Sequence, residues 1–207
     1  MSDLLVIDYG MGNILSVLSA VRYLGATAEV SSDPEAIASA QKLILPGVGS
    51  FRRAMESLRA TGLDQAIHRA VQSGETNLLG ICLGMQLLGT VGTEDGETEG
   101  LGLIDQRVDS FTPEELSGLK IPHIGFSGVK AGPDSRLFAG LPSEADFYFV
   151  HSFRMLPEIP DTVVSCCHHG ATFAAAVEKG NVFGAQFHPE KSQTNGLMLL
   201  RNFLRLS

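Results

Sequence analysis

One pentapeptide in this 207-residue chain carries the residue types of nucleophilic chemistry: Gly80-Ile81-Cys82-Leu83-Gly84. A thiol stands between an apolar stretch and a helix-forming run, with a glycine two positions away on each side. That is the strand-to-helix elbow pattern with Cys in place of Ser. So tight a turn needs small neighbours, lifts the side chain clear of the sheet, and sets the sulfur at a helix N-terminus, where the macrodipole favours thiolate. It also aims backbone N–H groups, that of Leu83 among them, at a developing oxyanion. Read alone, the same five residues describe equally well a buried structural cysteine with glycines for packing.

A second constellation is Gln186-Phe187-His188-Pro189-Glu190-Lys191. Pro189 disfavours helix at His188, and extended residues two apart project to one side, so the imidazole and the Glu190 carboxylate are expected to face each other. A carboxylate that orients an imidazole and stabilises its protonated form suits a general base working with a thiol. By itself His-Pro-Glu also fits a surface loop; joined to the elbow it makes a candidate Cys82-His188-Glu190 triad. The third is Pro46-Gly47-Val48-Gly49-Ser50-Phe51 after an apolar strand. Glycines at a strand-to-helix junction let N–H groups approach an anion, which would supply the other half of an oxyanion hole, although a plain turn has the same composition.

The elements that must position these residues follow from periodicity. Short apolar runs alternate with helix-like segments over the first half, the pattern of βα units around a largely parallel or mixed sheet flanked by helices. Strands are predicted at 4–8, 28–30, 43–46 and 78–81, and helices at 13–24, at 50–71 in two pieces broken at Thr61-Gly62, and after Cys82. Beyond Asp105 shorter strands are predicted at 106–110, 121–126, 146–151, 163–166, 172–177 and 182–187, then a helix over 193–206. No repeat, low-complexity tract or linker is visible, so one α/β domain over 1–207 is expected.

With 44% hydrophobic and 18% charged residues and a mean hydropathy of +0.14, the chain can bury a core, which excludes disorder and a disulfide-held miniprotein. Three cysteines without CxxC spacing argue against a zinc knuckle and for a reducing compartment. A net charge of −8 excludes a surface built for nucleic acid or anionic lipid. The uncharged stretch Thr76 to Thr93 has about the length of a membrane span. Its four glycines, Asn77, Gln86 and three threonines fit a buried strand and helix better, and no signal peptide is visible at the start, so no membrane and a cytoplasmic location are expected.

PGVGSF at 46–51, GICLGMQLL at 80–88 and GAQFHPEKSQ at 184–193, in that order, resemble the class I (triad-type) glutamine amidotransferases. VIDYGMGN at 6–13, IPHIG at 121–125 and YFVHSF at 148–153 resemble, within them, the glutaminase subunits of imidazole glycerol phosphate synthases. The resemblance implies a flavodoxin-like fold and hydrolysis of L-glutamine to glutamate and ammonia, without cofactor or metal. Cys82 would attack the side-chain amide, His188 would shuttle the proton and Glu190 would hold the ring. Gly49 and Leu83 would form the oxyanion hole, and Gly47, Gln86, Glu94 and Ser152 would bind the substrate. Ammonia would pass to a separate cyclase subunit, a (β/α)₈ barrel, in a heterodimer whose partner and ligand reorganise the PGVG loop. The family pattern continues IPHIG with Trp-Asn where this chain has Phe126-Ser127, a change at the expected subunit contact. A γ-glutamyl hydrolase, or the glutaminase of another synthase, would use the same triad; a non-catalytic binding subunit would retain only the fold.

Other features have blander readings. Gly10-Met11-Gly12 lacks the third glycine of a dinucleotide fingerprint. His168 and His169, adjacent on a strand, point to opposite faces and share an ion poorly. His151 reads as a site-lining or core histidine, and His123 as a support for the interface.

Overall fold

A computed structural model describes residues 4–206. In chain order the first half contains β1 (Leu4–Ile7), α1 (Ile14–Tyr23), β2 (Glu29–Ser31), α2 (Pro34–Ala38), β3 (Lys42–Gly47), α3 (Phe51–Ala60), α4 (Leu63–Gln72), β4 (Asn77–Cys82) and α5 (Leu83–Leu87). The second half contains β5 (Val91–Gly92), β6 (Thr98–Glu99), β7 (Asp109–Ser110), α6 (Pro113–Leu116), β8 (His123–Lys130), β9 (Glu144–His151), β10 (Phe153–Arg154), β11 (Val163–His169), β12 (Ala171–Lys179), β13 (Val182–Ala185), a 3-10 turn (Pro189–Lys191) and α7 (Gln193–Arg205).

Nine strands form one mixed sheet in the order β2-β1-β3-β4-β13-β12-β11-β8-β9. Neighbours from β2 to β13 are parallel, and those from β13 to β9 are antiparallel. The apolar runs of the parallel half face cores on both sides, which is why they read as continuous rather than alternating. Leu4, Val6 and Ile44 join Val17 and Val21 of α1 and Leu199, Leu200 and Phe203 of α7 on one face. Leu5, Ile7, Leu43 and Leu45 join Ile37 of α2, Met55 and Leu58 of α3, and Ile67 of α4 on the other. The helical break predicted at Thr61-Gly62 is present, with Gly62 at φ +71° between α3 and α4.

Three sequence expectations need correction. Of the strand predicted over 106–110 only Asp109–Ser110 is strand, and it pairs with β10 in a two-stranded ribbon outside the main sheet. The preceding residues bond instead to the loop after α5, through Thr90 N–H to Gln106 O and Val108 N–H to Val91 O. The strand predicted to reach Phe187 ends at Ala185. An additional helix that the apolar spacing does not predict covers Pro34–Ala38, where Asp33 accepts from Glu35 N–H and Pro34 occupies the first turn. The stretch Thr76 to Thr93 holds β4 and α5, and among the described residues no helix is long and apolar enough to cross a membrane.

Candidate active site

The elbow forms where β4 crosses into α5. Cys82, the last residue of the strand, adopts φ 55° and ψ −111°, a left-handed conformation that is strained for any residue but glycine. The flanking glycines let the two elements approach closely enough to impose it. A Cβ on Gly80 would come within 2.6 Å of the Gly84 carbonyl, and one on Gly84 would collide with the Leu45 carbonyl of β3. Cys82 is 6% exposed, and its sulfur lies 3.8 Å from Val150 O and 3.9 Å from Gln186 Nε2. The helix behind it has only five residues, so its dipole is that of a single turn.

His188 and Glu190 meet, but not by the backbone the sequence suggested. His188 is extended, whereas Glu190 sits in the 3-10 turn Pro189–Lys191, which folds its carboxylate back under the ring. His188 Nδ1 lies 2.8 Å from Glu190 Oε1, with the two side chains 2% and 1% exposed. Burial lowers the basicity of the imidazole, but the Cys82 sulfur and the Glu190 carboxylate outweigh it and lift His188 from 6.5 to about 9. His188 Nε2 meets no hydrogen-bond geometry in this conformation, so Cys82 acts on it as a neighbouring sulfur rather than as a formed hydrogen bond. The free nitrogen is the one a proton shuttle requires, since the carboxylate occupies the other.

A cavity of about 270 Å³ opens over these groups, and its lining includes Cys82, Leu83, Gly49, Gln86, Glu94 and Ser152. His188 and His151 line it as well. Gly49 has φ +105°, so the loop after β3 turns in a way that suits glycine. Glu94 shares the cavity wall, yet its Oε2 accepts from Phe51 N–H at 2.8 Å and thereby caps α3. Gly47 does not line this cavity: it ends β3 opposite Cys82 in the sheet register and borders a narrow crevice with Asn13 and Glu190. There a Cβ would come within 2.6 Å of the Tyr9 hydroxyl, so glycine permits close packing.

The class-I glutamine amidotransferase family model matches residues 5–206. The chain belongs to this family. Among curated relatives of this amidotransferase, imidazole glycerol phosphate synthase subunit HisH 2 of Pseudomonas aeruginosa is 43% identical over 203 residues, covering 98% of this chain and 99% of the relative. Subunit HisH of Methylococcus capsulatus is 47% identical over 213 residues, covering 99% and 97%. Of solved structures, PurLQS from Thermotoga maritima superposes with a TM-score of 0.75 at 20% identity, covering 99% and 98%, which speaks to the fold.

Two further residues pack into this candidate site without an evident signal in the sequence. Ser192, 1% exposed, donates its hydroxyl to His188 O at 2.6 Å and accepts from Tyr148 N–H at 2.9 Å, so it clamps the histidine to β9. The only sequence signal was a serine two residues beyond Glu190. Gln186 is wholly buried between Gln86 and Cys82. Ser127, where the family pattern has Asn, bonds to His123 Nε2 at 2.8 Å, and Phe126 stands 50% exposed against Tyr148 on β9. His123 Nδ1 in turn lies 3.0 Å from His151 Nε2, while His169 stacks on His123.

Proposed function

We infer that this chain is the glutaminase subunit of an imidazole glycerol phosphate synthase, acting in histidine biosynthesis as one amidotransferase domain. The observation that carries this reading is a thiol on a strained elbow beside an imidazole buttressed at 2.8 Å by a buried carboxylate. Its full-length relatives carry the names of that subunit.

In this mechanism Cys82 loses its proton to His188 Nε2, and the sulfur attacks the carboxamide carbon of L-glutamine. The tetrahedral oxyanion is held by the N–H groups of Leu83 and Gly49. Collapse breaks the C–N bond as the imidazolium gives its proton to the leaving nitrogen, releasing ammonia and leaving a γ-glutamyl thioester on Cys82. A water then attacks with His188 as base, and glutamate leaves with the thiolate restored. Glu190 holds the ring throughout. Gln86, Glu94 and Ser152 hold the amino acid end of the substrate.

Ammonia passes to a (β/α)₈-barrel cyclase in a heterodimer. There it attacks a phosphoribulosyl-formimino nucleotide, giving imidazole glycerol phosphate and an aminoimidazole carboxamide ribotide. Exposed Phe126 and its neighbour Tyr148 suit the subunit contact. Cyclase and nucleotide binding reorganise the PGVG loop at 46–49, so turnover by the isolated chain is low. A reducing cytoplasm keeps the thiol usable.

The test is Cys82→Ala in the reconstituted complex. Glutamine-dependent synthesis is lost, while supplied ammonium still supports the cyclase. A variant that keeps glutamine-dependent synthesis overturns the assignment.

A further inference from the structure

Gln186 precedes His188 by two residues, is 0% exposed, and anchors its backbone N–H on Ala175 O at 2.8 Å. A buried primary amide is costly unless its donors and acceptor are used, so where each end points has an energetic reason. One backbone carbonyl decides the matter. Phe153 O can only accept, and Gln86 reaches it at 3.0 Å, so the Gln86 atom there is the amide nitrogen. The other hydrogen of that nitrogen points to Gln186 at 3.1 Å, so the Gln186 atom receiving it is oxygen. The remaining end of Gln186 is therefore nitrogen, and it lies 3.9 Å from the Cys82 sulfur.

We propose that Gln186 is a positioning residue for glutamine hydrolysis: it turns the Gln86 amide so that the oxygen faces the pocket, and it presents its own N–H to the Cys82 sulfur. The proposal rests on the reading of Cys82 as the glutaminase nucleophile. With its nitrogen held by Phe153 and Gln186, Gln86 leaves an oxygen to which no described residue donates, on the wall of the cavity. That oxygen suits a cationic donor such as the α-ammonium of an amino acid. At the sulfur, two groups pull in opposite directions. Val150 O at 3.8 Å can accept only from the thiol, whereas the Gln186 N–H at 3.9 Å strengthens when the sulfur becomes anionic. The ligand-orienting and nucleophile-orienting contacts thus belong to one amide, which links occupation of the pocket to the state of the sulfur.

The test compares Gln186→Glu, which retains an acceptor for Gln86 but no donor for sulfur, with Gln186→Met, which retains neither. Iodoacetamide labelling of the full chain, read by mass spectrometry at the Cys82 peptide, is expected to slow roughly tenfold at neutral pH in both, with its pH midpoint displaced upward. In the cyclase complex both lower kcat, and Gln186→Met alone raises KM for glutamine several-fold. Labelling profiles that stay at the wild-type position while only thermal stability falls overturn the proposal. If neither variant folds, Gln86→Met decides, because it touches the sulfur only through Gln186; an unmoved Cys82 profile in it also overturns the proposal. Labelling needs no turnover, so a wild-type complex that fails to hydrolyse glutamine defeats the glutaminase reading separately.

Discussion

His188 Nδ1 and Glu190 Oε1 lie 2.8 Å apart with both side chains out of solvent, and this contact is one of the two that raise the imidazole's basicity. Burial lowers the ring's basicity, whereas the sulfur and carboxylate raise it to about 9 from 6.5. Because the folded value is above the unfolded one, the stabilisation is fully present below pH 6.5 and is lost as pH rises through about 9. Glu190→Gln removes the carboxylate's share of the upward shift and leaves the Cys82 sulfur alone to oppose burial. Thermal unfolding measured against pH should show the variant with a weaker decline between 6.5 and 9, and kcat in the complex should fall by about 10²–10⁴.

The elbow glycines are replaceable by nothing larger. A methyl on Gly84 must displace the Leu45 carbonyl in the buried run of β3, and one on Gly80 must push the first turn of α5 away. Gly84→Ala should destabilise the chain by roughly 1–3 kcal/mol or more in urea unfolding. It should also abolish selective labelling of Cys82 by a glutamine-analogue electrophile. Cys166 and Cys167 serve as internal controls in that assay, since burial raises both thiols, Cys167 to about 12.

Ser192 holds His188 from behind. Ser192→Ala leaves Tyr148 N–H without its acceptor and takes one donor from His188 O, which keeps Lys191 N–H at 3.0 Å. Loss of a buried partner costs about 1–3 kcal/mol, so urea unfolding should shift by that amount. If the clamp sets the ring's position, kcat in the complex should fall with little change in KM. Equal loss in both would mean that the pocket as a whole had collapsed.

What was legible in the sequence was what local sterics impose. Gly80 and Gly84 announced the elbow because the crossing of β4, α5 and β3 admits no Cβ, and Gly62 announced the break between α3 and α4. His188 and Glu190 were correctly paired from a wrong backbone: the carboxylate arrives by a 3-10 turn, which a proline in its first position also permits. The strand predicted at 106–110 failed because its residues find partners in the loop after α5, a tertiary choice that apolar spacing does not record. Gln186 was invisible as part of the site because its partners Gln86 and Cys82 lie 100 and 104 positions away. The spacing of Glu94 did not reveal that one of its oxygens is held by the N-terminus of α3.

The pair His123 and His151 adds a titration of opposite sign to that of His188. His151 donates from Nδ1 to Phe153 O at 2.9 Å and accepts at Nε2 from His123 Nδ1 at 3.0 Å, an acceptor role that only a neutral His151 ring can fill. Burial, the largest cause in each case, lowers His123 to about 4 and His151 to about 3, against 6.5 unfolded. Folded values below the unfolded one give stability that is present above pH 6.5 and lost as pH falls through 4 and 3. Between pH 6.5 and about 4 the unfolded chain binds protons at His123 and His151 that the folded chain refuses, a slope of about 1.4 kcal/mol per pH unit for each. His188 adds no slope there, being protonated in both states. Stability should therefore peak near pH 6.5, falling on the alkaline side through His188 and on the acid side through this pair. His151→Asn, whose amide can still donate to Phe153 O, should remove about half the slope of the acid limb between 6.5 and 5, His123 keeping the rest, and leave the alkaline limb intact. Urea midpoints from pH 5 to about 9 measure both limbs, and an unchanged acid limb in the variant would show that His151 is not a source of it.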